Sequence, residues 1–164
     1  MSPLKIVGLA AVIGLVVAPT AFSQQPAAPR TGQHQVIKPG DIKWGPPPPS
    51  LPPGAQLAAI DGDPGKPGLF AIRLKLPDGY QVAPHWHPTD EHVTVLQGTL
   101  MLGMGDKVSA ASEQELAVGG FVKMPGEMRH YARAKGETIL QIYGTGPFVV
   151  NYVNPSDDPQ KKKQ

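Results

Sequence analysis

Short hydrophobic runs separated by turn residues dominate the chain from Leu69 onward, and this pattern is typical of β-strands. The turns are rich in glycine and proline, as in Gln97-Gly98 and Lys135-Gly136, which favour positive φ angles or preset turns. We predict strands over Leu69–Leu76, Tyr80–His87, His92–Leu96, Thr99–Met104, Gly120–Met124, His130–Ala134, Thr138–Tyr143 and Phe148–Val153. The pattern predicts an all-β fold, with a small double-sheet barrel as the economical architecture.

Two further segments carry weaker signals. Ala55–Ile60 is predicted to add an edge strand before an aspartate- and glycine-rich turn. Ser109–Leu116 is the one stretch that indicates a helix, of one or two turns. Neither segment changes the predicted all-β class.

The first 23 residues have the pattern of a secretory signal peptide rather than of a folded core. Lys5 supplies a positive start, Ile6–Val17 an apolar run, and Ala21-Phe22-Ser23 a small-x-small cleavage site. A dozen apolar residues are too few to span a bilayer comfortably, and no second apolar run of spanning length follows. We therefore expect a periplasmic or secreted protein with no membrane span once residues 1–23 are removed.

Residues 24–67 are predicted to form a proline-rich linker and an extended N-terminal arm. This segment holds eleven prolines, including Pro46–Pro49, so it cannot be a continuous helix or a central strand. Spaced apolar residues, Trp44 among them, indicate that the arm lies along a folded body. The barrel is expected over residues 68–154, followed by a disordered polar tail over residues 155–164.

The composition narrows the possible function classes. The chain has no cysteine, which excludes disulfides, a thiolate metal site and a lipid-anchored N-terminus. Removing Lys5 from the 15 basic residues leaves 14 against 13 acidic ones, a net charge of +1. Because the balance is near neutral, no nucleic-acid partner is expected. Any metal must be held by nitrogen and oxygen atoms.

The strongest chemical signal lies in the segment 79–98. His85 and His87 are two residues apart, so on a strand both side chains leave the same face and can converge on one ion. Glu91 follows beyond a Pro-Thr-Asp turn, and His130 follows a Pro-Gly turn far downstream. Each histidine alone is explained more simply as an isolated polar residue, but their combined placement favours a metal site.

Strand parity also sorts the neighbours of these residues. His92 has the opposite parity to Glu91, so we predict that it faces outward and lies outside the ligand set. The same parity nominates a largely apolar lining of Val93, Val95, Met128 and Ala132, although each of these is explained more simply as an ordinary residue of the barrel core. Polar groups that could reach a substrate, each explained more simply as a solvated strand residue, are Arg73, Arg129, Arg133, Gln141 and Tyr143.

These residues resemble the motifs of a known family, the cupin superfamily. Gly79, five residues, His85-x-His87, three residues, Glu91, six residues and Gly98 resemble the first cupin motif at every defining position.

The second cupin motif is resembled by Gly119, five residues, Pro125 and His130, with two departures. The glycine of this motif falls at Gly126, directly after the proline. The asparagine that is usual four residues beyond the histidine is Ala134 in this chain. Neither departure removes a ligand.

The resemblance covers about residues 69–153 and implies a cupin-like double-stranded β-helix, or jelly-roll, barrel. It further implies a metal inside the mouth of the barrel, bound by His85, His87, Glu91 and His130. The arm and the phrase Gly62–Gly68 also resemble the secreted single-domain relatives of anti-sigma-factor cupins.

The implied cofactor is one divalent transition metal. Nitrogen and oxygen ligands suit Fe, Mn, Co, Ni, Cu or Zn, and four ligands leave two of six octahedral positions open. Two open positions permit a bidentate oxygen substrate, or substrate and dioxygen. Glu91 is the candidate catalytic residue, since a carboxylate beside an open position can act as a general base.

Two functions stay open on the sequence alone. The first is an exported metalloenzyme that acts on a small oxygenated or aromatic molecule, by dioxygenase-type chemistry or by metal-assisted acid-base chemistry of the isomerase or lyase kind. The alternative is a non-catalytic cupin that binds a metal or senses a small molecule. A homodimer is expected in either case, with Trp86 packed against the arm or a second subunit.

Overall fold

The computed structural model of the chain describes residues 34–161. The predicted signal peptide, residues 1–23, lies outside the described residues, as do residues 24–33 and 162–164. The strands are β1 (Gln56–Asp61), β2 (Gly68–Leu76), β3 (Gln81–Trp86), β4 (Glu91–Met104), β5 (Gln114–Leu116), β6 (Phe121–Met124), β7 (His130–Gly146) and β8 (Asn151–Tyr152). The helices among the described residues are three 3₁₀ turns, Pro39–Asp41, Ala110–Ser112 and Pro155–Asp157, so the all-β prediction is confirmed.

None of these short turns has the length and hydropathy that a membrane-crossing helix requires, within the part of the chain that the structure describes. From Val36 onward the described chain forms one compact unit, which includes residues 36–67 of the predicted arm. The predicted tail begins with the 3₁₀ turn Pro155–Asp157.

The two longest strands, β4 and β7, pair with each other over most of their length and therefore belong to both halves of the barrel. One half has the strand order β1-β2-β7-β4-β6 and uses residues 138–146 of β7. The other half has the order β8-β3-β7-β4-β5 and uses residues 130–135 of β7. All pairs are antiparallel, and the predicted jelly-roll barrel is confirmed.

The predicted turns Gln97-Gly98 and Lys135-Gly136 are bends inside continuous strands, which corrects the predicted strand count. Gly98 and Gly136 have φ angles of 71° and 74°, which glycine adopts at little cost. A Cβ atom on Gly98 would lie 2.4 Å from the carbonyl oxygen of Glu137, so the backbones approach closely at this bend. Pairing of β4 with β7 resumes beyond the bend. The four strands predicted on the two sides of these glycines are therefore the two long strands β4 and β7.

The predicted helix over Ser109–Leu116 is wrong for most of its length. Only Ala110–Ser112 forms a 3₁₀ turn, and Gln114–Leu116 is strand β5. Residues Leu100–Leu102 of β4 pair with β5, and this pairing overrides the local preference of the segment.

The core of the barrel is built from alternate residues of its long strands. On β4, for example, Val93 and Val95 are buried while Thr94 between them is half-buried on the opposite face. The most buried apolar side chains of these strands are Phe70, Ile72, Leu76, Val93, Val95, Leu100, Leu102, Tyr131, Ala134, Leu140 and Ile142. Burial of these side chains supplies most of the driving force for folding.

Part of the predicted arm packs on its own barrel. Residues 44–53, which we call the strap, begin at Trp44, whose ring lies under the Lys75 ammonium group at 4.5 Å from the ring centroid. The backbones of Gly45 and Leu57 exchange two hydrogen bonds of 2.8 and 2.9 Å. The first end of the strap is thereby fixed to β1 and β2.

Two tyrosines of the barrel hold the other end of the strap. The Tyr80 hydroxyl donates a hydrogen bond of 2.6 Å to the carbonyl oxygen of Pro52, and the Tyr152 hydroxyl donates one of 2.8 Å to that of Ser50. Burial raises the pKa of Tyr152 to about 12, so its hydroxyl keeps the proton that it donates at neutral pH. The strap is therefore attached to the barrel on both sides.

The hydroxyl of Tyr80 gives a direct test of this attachment. Tyr80→Phe keeps the buried ring but removes the hydrogen bond to Pro52, so we expect the free energy of unfolding to fall by about 1 kcal/mol. Tyr143→Phe is the matched control, because that hydroxyl makes no hydrogen bond within residues 34–161, and its effect should stay within about 0.5 kcal/mol. Urea denaturation of both variants measures the difference, and equal midpoints would contradict the assignment.

Candidate metal centre

Strand pairing brings the three predicted histidine ligands together. His85 on β3 is the cross-strand partner of His130, the first residue of β7, and their ring centroids are 4.2 Å apart. His87 follows the last residue of β3, and its ring lies 5.0 and 5.4 Å from those of His85 and His130. Each of the three buried rings contributes one nitrogen atom, and these three nitrogen atoms lie within 4.8 Å of one another.

Two turns that dock on each other hold the histidine-bearing segments in place. The amide of Glu127 donates a hydrogen bond of 2.7 Å to the carbonyl oxygen of His87, and the amide of Gly126 donates one of 2.9 Å to Oδ1 of Asp90. A Cβ atom on Gly126 would lie 2.7 Å from the carbonyl oxygen of Pro88. The glycine that departs from the usual position of the motif is therefore required by close contact between the turns.

The three imidazole rings are oriented in one common way. Each Nδ1 lies within hydrogen-bond distance of a backbone carbonyl oxygen, which can only accept, so Nδ1 carries the proton. The other nitrogen, Nε2, then presents a lone pair. The pairs are His85 with Ala83 at 2.8 Å, His87 with Val149 at 2.8 Å, and His130 with Met128 at 2.9 Å.

Glu91 places a carboxylate oxygen among these lone pairs. Its Oε2 lies 3.4 Å from Nε2 of His87 and 3.2 Å from Nε2 of His130. Both Oε2 of Glu91 and Nε2 of His87 are buried without a hydrogen-bond partner. Burial by itself raises the pKa of Glu91, but the hydrogen bonds that the imidazoles of His130 and His87 donate when Nε2 is also protonated outweigh it and hold the pKa below its usual value. When Nε2 is unprotonated, a cation bound between these atoms would favour the charged carboxylate in the same way. The carboxylate is therefore ionised at neutral pH.

His85 is neutral in the same environment. Burial, reinforced by the neighbouring His130 and His87, lowers the pKa of His85 to about 3. A neutral imidazole has the lone pair that a metal ligand needs.

This arrangement fits a divalent metal ion. The carbonyl partners of Nδ1 fix the tautomer and the ring orientation, as in metal sites whose ligands are histidines. The unpartnered atoms of His87 and Glu91 are ones that a cation would satisfy. Three buried histidines could thus hold a metal, with Glu91 in reach as a fourth ligand, and nitrogen and oxygen donors suit first-row transition metals.

The candidate ligands lie on the wall of a cavity of 430 Å³. Apart from the four ligands, Ser50 is the only residue with a polar side chain among the described residues that line it. Aliphatic side chains of β2, β4 and β7 and prolines of the strap make up most of the surface. A size of this order is typical of sites for small molecules, and the lining favours a largely apolar one.

The predicted lining is confirmed for Val93 and Ala132, which contact the cavity. Val95 is buried in the core without lining the cavity, as the simpler interpretation of its position has it, whereas Met128 is 41% exposed and neither lines the cavity nor lies in the core. Met128 precedes the first residue of β7, and the alternation of faces does not extend backward into the turn.

The five polar residues predicted from the sequence as candidate substrate contacts do not line the cavity in the structure. Arg73 donates a hydrogen bond to Gln141, whereas Arg129 and Arg133 form ion pairs with Asp106 and Glu113. Tyr143 stacks on His92 with ring centroids 4.6 Å apart. His92 is likewise absent from the cavity wall, which agrees with its predicted outward orientation.

Phe148 is a cavity residue that the sequence did not single out. Its ring stacks on His87 with centroids 4.1 Å apart and planes inclined by 17°. The carbonyl oxygen that accepts the His87 hydrogen bond belongs to the next residue, Val149. The segment after β7 thus positions His87, and the only sequence signal near this contact is the turn before Phe148.

Comparison with known proteins agrees with this fold. Residues 72–145 match the family profile described as the cupin domain. No curated protein sequence matched the chain.

Solved structures with the same fold come from several bacteria. The polyketide cyclase RemF of Streptomyces resistomycificus is 17% identical with a TM-score of 0.63, covering 79% of this chain and 92% of its own. A provisionally assigned acetylacetone dioxygenase of Methylibium petroleiphilum is 16% identical with a TM-score of 0.60, covering 81% and 90%. KdgF of a Halomonas species is 17% identical with a TM-score of 0.53, covering 70% and 96%. The match over residues 72–145 and the shared fold identify the barrel of this chain as a cupin domain.

Metal titration tests the ligand set. We expect the wild-type protein to bind one Zn²⁺ or Co²⁺ ion per chain, and His130→Ala to bind it at least about 100-fold more weakly because one of three nitrogen donors is lost. His92→Ala is the matched control, since that histidine is outside the cavity, and its affinity should match that of the wild type. Competition with a chromophoric chelator measures all three, and equal affinities for the wild type and His130→Ala would refute the site.

The pKa of His85 predicts an acid dependence of stability in the metal-free protein. Because the pKa is about 3 in the folded protein and the ordinary value of a histidine is 6.5, the unfolded chain binds more protons between these values. The free energy of unfolding should therefore fall as the pH drops below about 6.5, with a limiting slope of about 1.4 kcal/mol per pH unit from this group. Urea denaturation at pH 7 and pH 5 should show a smaller loss for His85→Gln, and an identical loss would refute the prediction.

Proposed function

We propose that this protein is an exported metal-binding cupin that works as a metalloenzyme on a small molecule with oxygen donor atoms and a largely apolar or aromatic body. The observation that carries the proposal is the convergence of three imidazole lone pairs and one carboxylate on the wall of an apolar cavity. A purely structural ion does not need an adjoining cavity of 430 Å³, whereas a substrate does.

The proposed ligands are His85, His87, Glu91 and His130. A bound transition metal would supply Lewis acidity or redox chemistry at the end of the cavity where these residues lie. The histidines would hold it in a fixed orientation, because each Nδ1–H is attached to the backbone. The aliphatic lining would exclude water and accept the apolar body of the substrate.

Glu91 has a second proposed role as general base. Its carboxylate is buried and ionised, and its Oε2 lacks a hydrogen-bond partner, so it can accept a proton from a substrate bound beside it. Loss of such a group typically lowers the rate by about 10²- to 10⁴-fold. This role fits dioxygenase-type chemistry and isomerase- or lyase-type acid-base chemistry alike.

The structural neighbours support the choice of substrate class. One is named a polyketide cyclase and another is assigned as an acetylacetone dioxygenase, and both names refer to small oxygenated molecules. Identities of 16–17% support a common fold and leave the substrate of this chain as a proposal.

Export and dimerisation complete the proposal. The signal-peptide pattern of residues 1–23 supports a periplasmic or secreted location. The proposed homodimer is supported by large apolar side chains on the barrel surface, since Phe121 is 54% exposed and Leu69 is 80% exposed.

Turnover tests the enzymatic proposal. Protein purified from the exported fraction should contain a transition metal by elemental analysis, and the metal-loaded form should convert members of a panel of small 1,3-diketones and catechols, followed by dioxygen uptake and product analysis. His130→Ala should lose turnover because it loses the metal, while Glu91→Gln should lower kcat about 10²-fold or more. The circular dichroism of both variants should match that of the wild type.

Two outcomes would contradict the proposal. Turnover that survives His130→Ala would separate the activity from the metal centre. Stoichiometric metal with no turnover of any panel member would instead favour the alternative, a metal-binding or sensing cupin without catalysis.

A further inference from the structure

The strap forms one wall of the cavity that contains the candidate ligands. Pro46, Pro47 and Pro48 line it together with Ser50 and Leu51. Most of the other lining side chains belong to β2, β3, β4 and β7, which are fixed in place by strand pairing. The strap is therefore the wall that the barrel itself does not provide.

The chemistry of this wall restricts what it can recognise. Proline lacks an amide hydrogen, and its ring holds φ near −65°, so three consecutive prolines offer a stiff apolar surface without hydrogen-bond donors. Such a surface stabilises the apolar part of a ligand and offers no hydrogen-bond donor to a polar end. Within the cavity, the polar side chains that can bind the polar end of a ligand are mainly those of the three histidines and Glu91.

One residue fixes the strap relative to the candidate ligands. Tyr152 donates its hydroxyl to the carbonyl oxygen of Ser50, and its backbone pairs with His85. The rings of Tyr152 and His85 are 6.1 Å apart. Because the same side chain contacts the strap and neighbours a ligand, the space between the proline wall and the ligands is set by the fold.

We propose that Pro46–Pro48 determine the substrate specificity of the site by limiting the apolar length of the molecule that it accepts. The substrate class is a compound whose oxygen donor atoms bind at the ligand end and whose short aliphatic or aromatic tail packs on the prolines. This inference rests on the proposed function for the position of the oxygen atoms, while the length limit depends on the strap alone.

A series of straight-chain hydroxamic acids, from acetohydroxamic to decanohydroxamic acid, tests the proposal on the zinc-loaded protein. Hydroxamates offer two oxygen donors to a metal, so only the tail varies. Isothermal titration calorimetry should show the affinity rising about fourfold for each added CH₂ group, and then falling at least about tenfold at the tail length that meets the strap. We call this fall in affinity the break, and the tail length at which it occurs the length limit.

Two proline variants locate the limit. Pro47→Ala truncates a half-buried ring that lines the cavity, so the break should move to a tail longer by one or two carbons. Pro49→Ala is the matched control, because Pro49 is exposed in the same strap and does not line the cavity. Its break should coincide with that of the wild type, and both variants should keep the wild-type circular dichroism.

A second series separates this proposal from the proposed function. Straight-chain alcohols from butanol to decanol need no metal, and the rise in melting temperature that they cause in the metal-free protein should show the same length limit. If no hydroxamate binds but the alcohols show the limit and its shift in Pro47→Ala, the strap proposal holds and the open metal site is refuted. If affinity rises without a break in either series, or the break is the same in Pro47→Ala and Pro49→Ala, the strap proposal is refuted.

Discussion

Four atoms with lone pairs on buried side chains face one another, and this electrostatic constraint governs the centre. Each imidazole of His85, His87 and His130 uses its Nδ1–H on a backbone carbonyl, so only acceptors point inward. Glu91 adds a negative charge to them. A buried acceptor without a donor costs about 1–3 kcal/mol, Nε2 of His87 and Oε2 of Glu91 are two such acceptors, and a bound cation would relieve this cost. The inward-facing side chains of this centre are thus arranged to bind a cation.

The backbone of the barrel enforces that constraint. The pairing of His85 with His130 fixes two rings through the sheet itself, where side-chain freedom is small. His87 lies beyond the end of β3 and needs other support, which it receives from the docked turns and from the ring of Phe148. Support from three separate segments means that the ligand geometry depends on the barrel as a whole rather than on one motif.

Much of the fold and the centre could be predicted from the sequence, for reasons that differ between residues. The shared face of His85 and His87 follows from strand parity, a local property. The approach of His130 depends on register between distant strands, so the Pro-Gly turn before it marked it only as a candidate, and the resemblance to a family supplied its place in the ligand set. Glycine-containing turns at Gln97-Gly98 and Lys135-Gly136 misled the strand count, because a positive φ serves a turn and a bend equally well. Phe148 was missed because its contact with His87 is set by tertiary packing.

The strap has a consequence for the order in which the molecule assembles. Its hydrogen bond from Tyr152 to Ser50 joins residues 102 positions apart, so it closes one of the longest loops in the described chain. Contacts of such separation carry a high entropic cost and form late in folding. The strap therefore gains its full attachment only after β8 has joined the sheet, and a chain in which β8 is not yet paired would hold this wall of the cavity less firmly.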